Sequence, residues 1–251
     1  MTQRQTLQTA LDTLLQPERF KDYGPNGLQV EGTATVRKIA SGVTASLAFI
    51  EAAIAANADT VLVHHGLFWR GQSGCITGWM RQRLSLLLQH NINVFAYHLP
   101  LDAHPELGNN ARLGTELGLV ANGRFGENQL GFLGEPANAP FTNSNSLAQH
   151  IEKILGRSVI MVEGHSRPVQ RIGWCTGGAQ GYFESAIAAD VDAFITGEIS
   201  EPQAHYAREC GVSYLACGHH ATERYGAQAV GNYLAQKLGL EHVFIDIDNP
   251  A

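Results

Sequence analysis

Residues 36–66 and 169–199 align without a gap, and no other feature constrains the chain as much as this internal repetition. V-R-K-I-A-S-G-V-T-A-S-L-A-F-I-E-A-A-I-A-A-N-A-D-T-V-L-V-H-H-G stands over V-Q-R-I-G-W-C-T-G-G-A-Q-G-Y-F-E-S-A-I-A-A-D-V-D-A-F-I-T-G-E-I. Val36/Val169, Ile39/Ile172, Glu51/Glu184, Ala53/Ala186, Ile54/Ile187, Ala55/Ala188, Ala56/Ala189 and Asp59/Asp192 are identical. Any two strand–helix–strand units share apolar strands and Ala-rich helices, so part of the match is physical necessity; the gapless run of identities argues for duplication. Upstream, Leu7, Leu11, Leu14 and Leu15 have the helical spacing that recurs at Leu147, Ile151, Ile154 and Leu155. Downstream, I-N-V-F-A-Y at 92–97 matches V-S-Y-L-A-C at 212–217. Each half reads helix, strand, helix, strand, helix, strand, and then a closing helix, at 109–118 in the first and about 221–238 in the second. Such alternation predicts an α/β fold of two similar three-layer halves with mostly parallel sheets. The halves are 1–125 and 126–251, divided in the polar stretch A-N-G-R-F-G-E-N-Q.

A chain of 251 residues that is 44% apolar can bury a sizeable core. Its charged fraction of 16% is low against about 25% for an average soluble domain, which points to surface hidden in subunit contacts. A net charge of −6 with no basic run argues against nucleic-acid coating and against membrane-surface binding. The start lacks a signal-peptide pattern and no stretch reaches the roughly 18 apolar residues of a membrane span, so a cytoplasmic protein is expected. Cys75, Cys175, Cys210 and Cys217 are far apart without a C-x-x-C pair, which suggests neither a disulfide framework nor a zinc knuckle. They read as small buried hydrophobes.

The unusual count is eleven histidines. In open parallel sheets the ligand crevice lies beyond the carboxyl ends of the strands. Strand T-V-L-V runs into His64-His65-Gly66, I-N-V-F-A-Y runs into His98 and then Asp102, and V-S-Y-L-A-C runs into Gly218-His219-His220 and then Glu223. The fourth equivalent strand, A-F-I-T, ends at Gly197-Glu198. Imidazole nitrogens with carboxylate oxygens form the donor set of zinc, iron or manganese rather than calcium. His64, His65, Asp102, His219 and Glu223 are the candidate ligands, and five convergent donors suggest two divalent ions sharing a carboxylate. Adjacent His64 and His65 would face opposite ways in a regular strand, so both reach metal only if the strand has ended and Gly66 lets the backbone turn, or if the two address different ions. His98, His104 and His220 read as supporting or acid/base groups; His90, His150, His165, His205 and His242 read as ordinary. Cys175–Gly181 reads as a tight turn more than as a phosphate cradle, and the turn cluster Tyr23–Val30 has no chemistry by composition alone.

D-Y-G-P-N-G-L-Q-V-E-G at 22–32, V-H-H-G at 63–66, H-L-P-L-D-A-H-P-E-L-G-N-N at 98–110, T-G-E at 196–198 and G-H-H-A-T-E at 218–223 together resemble the Nif-three-like family in its short bacterial YbgI type, whose members carry a GTP cyclohydrolase I type 2 homologue label. The resemblance covers essentially the whole chain. It implies two similar α/β halves with a dinuclear metal centre between them, and a toroidal homohexamer. Carried over by motif, the ligands fall on His64, His65, Asp102, His219 and Glu223, with Glu223 bridging.

The expected function is that of a metal-dependent hydrolase of a small, anionic, nucleotide-like or heterocyclic substrate, with a hydroxide shared by two ions as nucleophile. His98 is the expected proton carrier, ahead of Glu198 and His220. No guanine-reading or triphosphate-binding basic cluster is evident. The rival expectation is a non-catalytic metal-binding, storage or delivery protein, or a ring-shaped scaffold; mobile Cys or Met ligands would favour delivery, and none is among the five donors.

Overall fold

The computed structural model describes residues 1–251. In chain order the first elements are β1 (Thr2–Gln3), α1 (Arg4–Leu15), β2 (Gly27–Val30), β3 (Thr35–Val36), β4 (Lys38–Thr44), α2 (Leu47–Ala55), β5 (Thr60–His65), α3 (Gly78–Gln89), β6 (Asn93–Ala96) and α4 (Leu99–Ala103). Then follow α5 (Asn109–Glu116), β7 (Leu119–Phe125), β8 (Gly131–Pro136), α6 (Ser144–Leu155), β9 (Ile160–Val162), β10 (Ile172–Trp174), α7 (Phe183–Ala188), β11 (Ala193–Thr196), α8 (Glu201–Cys210), β12 (Ser213–Ala216) and α9 (His219–Thr222). The chain closes with α10 (Arg224–Leu238) and β13 (Glu241–Phe244). No helix is long and apolar enough to cross a membrane.

Two compact units result, Met1–Gly108 with Gly226–Asp248 and Asn109–Tyr225 with Asn249–Ala251. In the first, the sheet order is β13-β4-β5-β6-β2, with only β2 antiparallel. Its strands are covered on both faces, so their apolar residues sort by parity. Val61, Val63, Val94 and Ala96 pack with Phe49, Ile50, Leu84 and Leu87 of α2 and α3. Leu62, Phe95 and Tyr97 pack with Leu7, Leu11 and Leu15 of α1 and with Ala227, Val230 and Leu234 of α10.

The second unit has the sheet order β7-β8-β10-β11-β12-β9. Its three central strands are parallel, as expected, but β8 pairs antiparallel with β10 on one edge, with β7 antiparallel to β8 beyond it, and β9 pairs antiparallel with β12 on the other. Leu147, Ile151 and Leu155 of α6 pack with Ile172, Trp174, Ile195 and Leu215 on one face. On the other, Phe183 of α7 stacks on Phe194 and meets Tyr214 edge-on.

The register agrees with the internal alignment. Ile39 pairs Thr60, which pairs Asn93; Ile172 pairs Ala193, which pairs Ser213. The shared aspartate has a structural reason in both units. The Asp59 carboxylate accepts from the Arg37 and Lys38 amides, and Asp192 accepts from Gln170 and Arg171, each at 2.9 Å for its shortest bond. Both carboxylates pin the entry to the first parallel strand.

The boundary differs from the one expected at 125. Residues 119–125 form β7 instead of a linker. The helix expected to close the first half, α5, belongs to the second unit, where Leu113 and Leu117 join its core and Trp174 Nε1 donates to the Asn110 carbonyl at 2.9 Å. Conversely, α10 from Gly226 and the following β13 belong to the first unit. An amphipathic stripe says that a helix packs, not on which sheet.

Leu234 is fully buried in the first unit's core, so Leu234→Ala should cost about 2–5 kcal/mol. Urea denaturation measures the loss; a cost below about 1 kcal/mol would contradict this placement of α10.

Candidate metal centre

In the first unit β5 ends in His64 and His65, and β6 leads through Tyr97 to His98 at the start of α4. Of the two routes open to the paired histidines, the early end of the strand is not the one taken, because the strand continues through His65. The His64 and His65 rings still stand 4.5 Å apart by centroid, and His64 and His98 stand 4.9 Å apart. One ring nitrogen from each of the three lies within 4.8 Å of the others. Bonds at Nδ1 explain the convergence. His64 Nδ1 lies 3.2 Å from the Tyr97 carbonyl, His65 Nδ1 lies 3.1 Å from Thr44 Oγ1, and His98 Nδ1 lies 2.7 Å from Asp22 Oδ1. A carbonyl only accepts, so His64 Nδ1 carries the proton and its Nε2 is the donor a metal would take.

Asp102 sits on α4, 7% exposed, with Oδ1 3.6 Å from His64 Nε2, while His64 is wholly buried. Two donors bound about 2.1 Å from one tetrahedral ion stand about 3.4 Å apart, so this pair has the separation of co-ligands. A carboxylate withdrawn from water also needs compensating positive charge.

Asp22 stands immediately before the Tyr23–Val30 turn cluster, to which composition alone gave no chemistry. Besides His98 it accepts from the Tyr23 amide at 2.6 Å, the Leu99 amide at 2.9 Å and Asn26 Nδ2 at 2.9 Å. Burial alone would raise its pKa. The bonds from His98 and Asn26, the His98 charge and the Tyr23 amide outweigh burial and hold it at about 2. Asn26 also accepts the His98 amide at 2.7 Å, so the turn is the brace of His98.

In the second unit α9 carries His219, and Glu223 follows it. Glu223 is 2% exposed, and its Oε2 lies 3.2 Å from His219 Nε2, again a co-ligand separation. His219 Nδ1 lies 2.6 Å from Glu198 Oε1. Glu198 is thereby the group that aims His219 rather than an independent acid. Gly177, at φ +68°, faces Glu223 and His219 so closely that a Cβ would collide with the carboxylate. The Cys175–Gly181 turn therefore makes room for this pair. Burial alone would lower the His219 pKa; the bonds and charges of Glu223 and then Glu198 overcome it and raise it from 6.5 to about 9.

The other histidines divide clearly. His104 Nδ1 accepts from the Glu106 and Leu107 amides at 3.2 and 3.0 Å, closing the loop after α4, and burial lowers its pKa. His150 and His165 bond backbone carbonyls, His205 bonds Glu201, and His242 bridges Ser41 and Asn232. His220 is half-buried in α9, and His90 lies exposed beyond α3. Cys175 and Cys217 are buried, as expected; Cys75 and Cys210 are exposed, and none of the four forms a disulfide.

Fold and site together define a class: an α/β protein of two units, each presenting imidazoles and a carboxylate at the carboxyl ends of parallel strands. The Duf34/NIF3 (NGG1p interacting factor 3) family model matches residues 2–250, and the chain belongs to this family. A Pseudomonas aeruginosa protein named GTP cyclohydrolase 1 type 2 homolog is 50% identical over 252 residues, covering 98% of each chain. A Yersinia pestis protein of the same name is also 50% identical, over 249 residues and 98% of each chain. Among solved structures, protein ybgI superimposes with a TM-score of 0.95 at 47% identity, and TTHA1606 from Thermus thermophilus with 0.90 at 34%, each over 100% of both chains.

A histidine pKa raised on folding stabilises the fold fully below pH 6.5, and that contribution is lost as the pH rises through about 9. Thermal unfolding in chelator should therefore show the melting temperature falling from pH 6.5 to 9.5, with a smaller fall in Glu198→Gln. Parallel curves would refute the Glu198–His219 coupling.

Proposed function

We propose that His64, His65 and Asp102 of the first unit and His219 and Glu223 of the second would hold two divalent ions, with Glu223 as the carboxylate that would serve both, and that the chain hydrolyses a small heterocyclic or nucleotide-like substrate there. The observation that carries this reading is the Nδ1 anchoring of His64, His65 and His219, which assigns Nε2 as the donor on each. Nitrogen donors mixed with carboxylate oxygens suit zinc, iron or manganese. When bound, two such ions lower the pKa of water and polarise the bond to be cut. The relatives' cyclohydrolase name supports a ring-opening hydrolysis as the reaction class.

The chain's own residues supply orientation and proton movement. Two ions bring a charge of about +4 against −2 from Asp102 and Glu223, so the site attracts an anion. His98, anchored on Asp22 with 20% of its side chain exposed, carries protons between substrate and solvent. The chain acts in the cytoplasm as a ring of six copies, a reading supported by the 16% charged fraction.

Glu223→Gln should leave the circular dichroism unchanged and reduce elemental content to one ion per chain or none; retention of two contradicts the ligand set. His98→Ala should keep both ions and slow turnover across a nucleotide and cyclic-amide panel by about 10²–10⁴-fold. Loss of an ion would make His98 a ligand, and equal or absent turnover in both proteins would favour the storage or scaffold reading. Light scattering should give the mass of six chains; a monomer would contradict the ring.

A further inference from the structure

The turn that braces His98 also faces outward. Tyr23, Gly24 and Pro25 on one side and Phe68, Trp69 and Arg70 on the other line a cleft of about 410 Å³ in the first unit. Its walls are fastened together. The Arg70 amide donates to the Tyr23 carbonyl at 2.7 Å, and Arg70 Nη2 donates to the Asp22 carbonyl at 2.7 Å. Gly24 lies so close to the Phe68 carbonyl that any Cβ would collide with it.

The cleft is aromatic, and it adjoins the imidazoles. Trp69 meets His98 edge-on at 5.1 Å and lies 5.9 Å from His65, while Tyr23 meets His98 edge-on at 6.0 Å. Tyr23 is 60% exposed and Phe68 36%, so these rings contribute little to the core. Contiguous exposed aromatic surface of this kind marks a binding site. Arg70 is held by a neutral carbonyl and makes no salt bridge, so its charge is available to an anion. The lining holds no second cation, and its one carboxylate, Asp22, is engaged by His98, Asn26 and the Leu99 amide.

We propose that this cleft is a recognition subsite for a planar heteroaromatic ring bearing one anionic group. The ring lies against Trp69 and Tyr23, whose faces favour π-systems, and the phosphate or carboxylate takes the Arg70 fork. The inference rests on the imidazole cluster being the reaction centre, and it narrows the substrate. One arginine matches one anionic group, and the further phosphates of a triphosphate meet no second cation in the cleft. Asp22 couples the two functions, since its carbonyl holds Arg70 and its carboxylate holds His98.

Equilibrium dialysis of the full chain with GMP, guanosine, ribose 5-phosphate and GTP, run both in chelator and with metal restored, tests the subsite. In chelator, GMP should bind at least tenfold more tightly than guanosine or ribose 5-phosphate, and GTP no more tightly than GMP. Trp69→Leu and Arg70→Gln should each lose about tenfold in GMP affinity, and Trp69→Phe should recover most of it, with metal content and oligomeric mass unchanged. Equal binding of the probes, or full GMP affinity in Trp69→Leu, would overturn the subsite. So would a changed oligomeric mass in Trp69→Leu, which would make the patch a contact between copies. Metal-loaded protein that ignores GMP refutes the subsite alone, and GMP binding by a chain that takes up no metal refutes the metal reading alone.

Discussion

The hydrogen bond between His98 Nδ1 and Asp22, with its counterparts at His64, His65 and His219, decides which nitrogen each ring turns toward the site. An imidazole at a strand end has two free torsions and two usable nitrogens. Fixing Nδ1 removes both freedoms, and a carboxylate partner also raises the ring's basicity. The acceptors differ in kind: a carbonyl at His64, a hydroxyl at His65, carboxylates at His98 and His219. The neutral partners leave His64 and His65 suited to ligation, whereas His219, facing two carboxylates, holds its proton to about pH 9 in the metal-free chain. A metal ion bound there would have to displace that proton, which would couple its uptake to pH.

Much of the frame was legible because it repeats. Periodic leucines announced α1 and α6, and the gapless alignment placed β4 with β10 and β5 with β11 at matching register. Asp59 and Asp192 recur for a local reason, the capping of backbone amides, which any sequence carrying that turn must meet. The exchange of α5 and α10 between units was not legible. Each has an apolar stripe, but the choice between two similar sheets rests on shape. Gly114 of α5 lies against Trp174, and Gly231 of α10 lies against His242. Neither contact is local in sequence.

The site shows the same division. The five proposed ligands stood out because His, Asp and Glu collect at strand ends, a rule of topology. Asp22 and Glu198 did not stand out as anchors, because an acceptor for a ring nitrogen needs only distance, and their partners lie 76 and 21 residues away. The D-x-x-x-N spacing of Asp22 and Asn26 is the one signal that points to a carboxylate-centred turn. His104, read beside His98 as a supporting or acid/base group, has its Nδ1 engaged in closing a backbone loop.

The central claim is that the anchored imidazoles and the two buried carboxylates serve one pair of ions. X-ray absorption at the metal edge of protein isolated without added metal addresses it directly. The account predicts a shell of nitrogen and oxygen ligands at about 2.0–2.2 Å and a metal–metal vector at about 3.5–4 Å. A single ion per chain with no heavy neighbour in that range would contradict it.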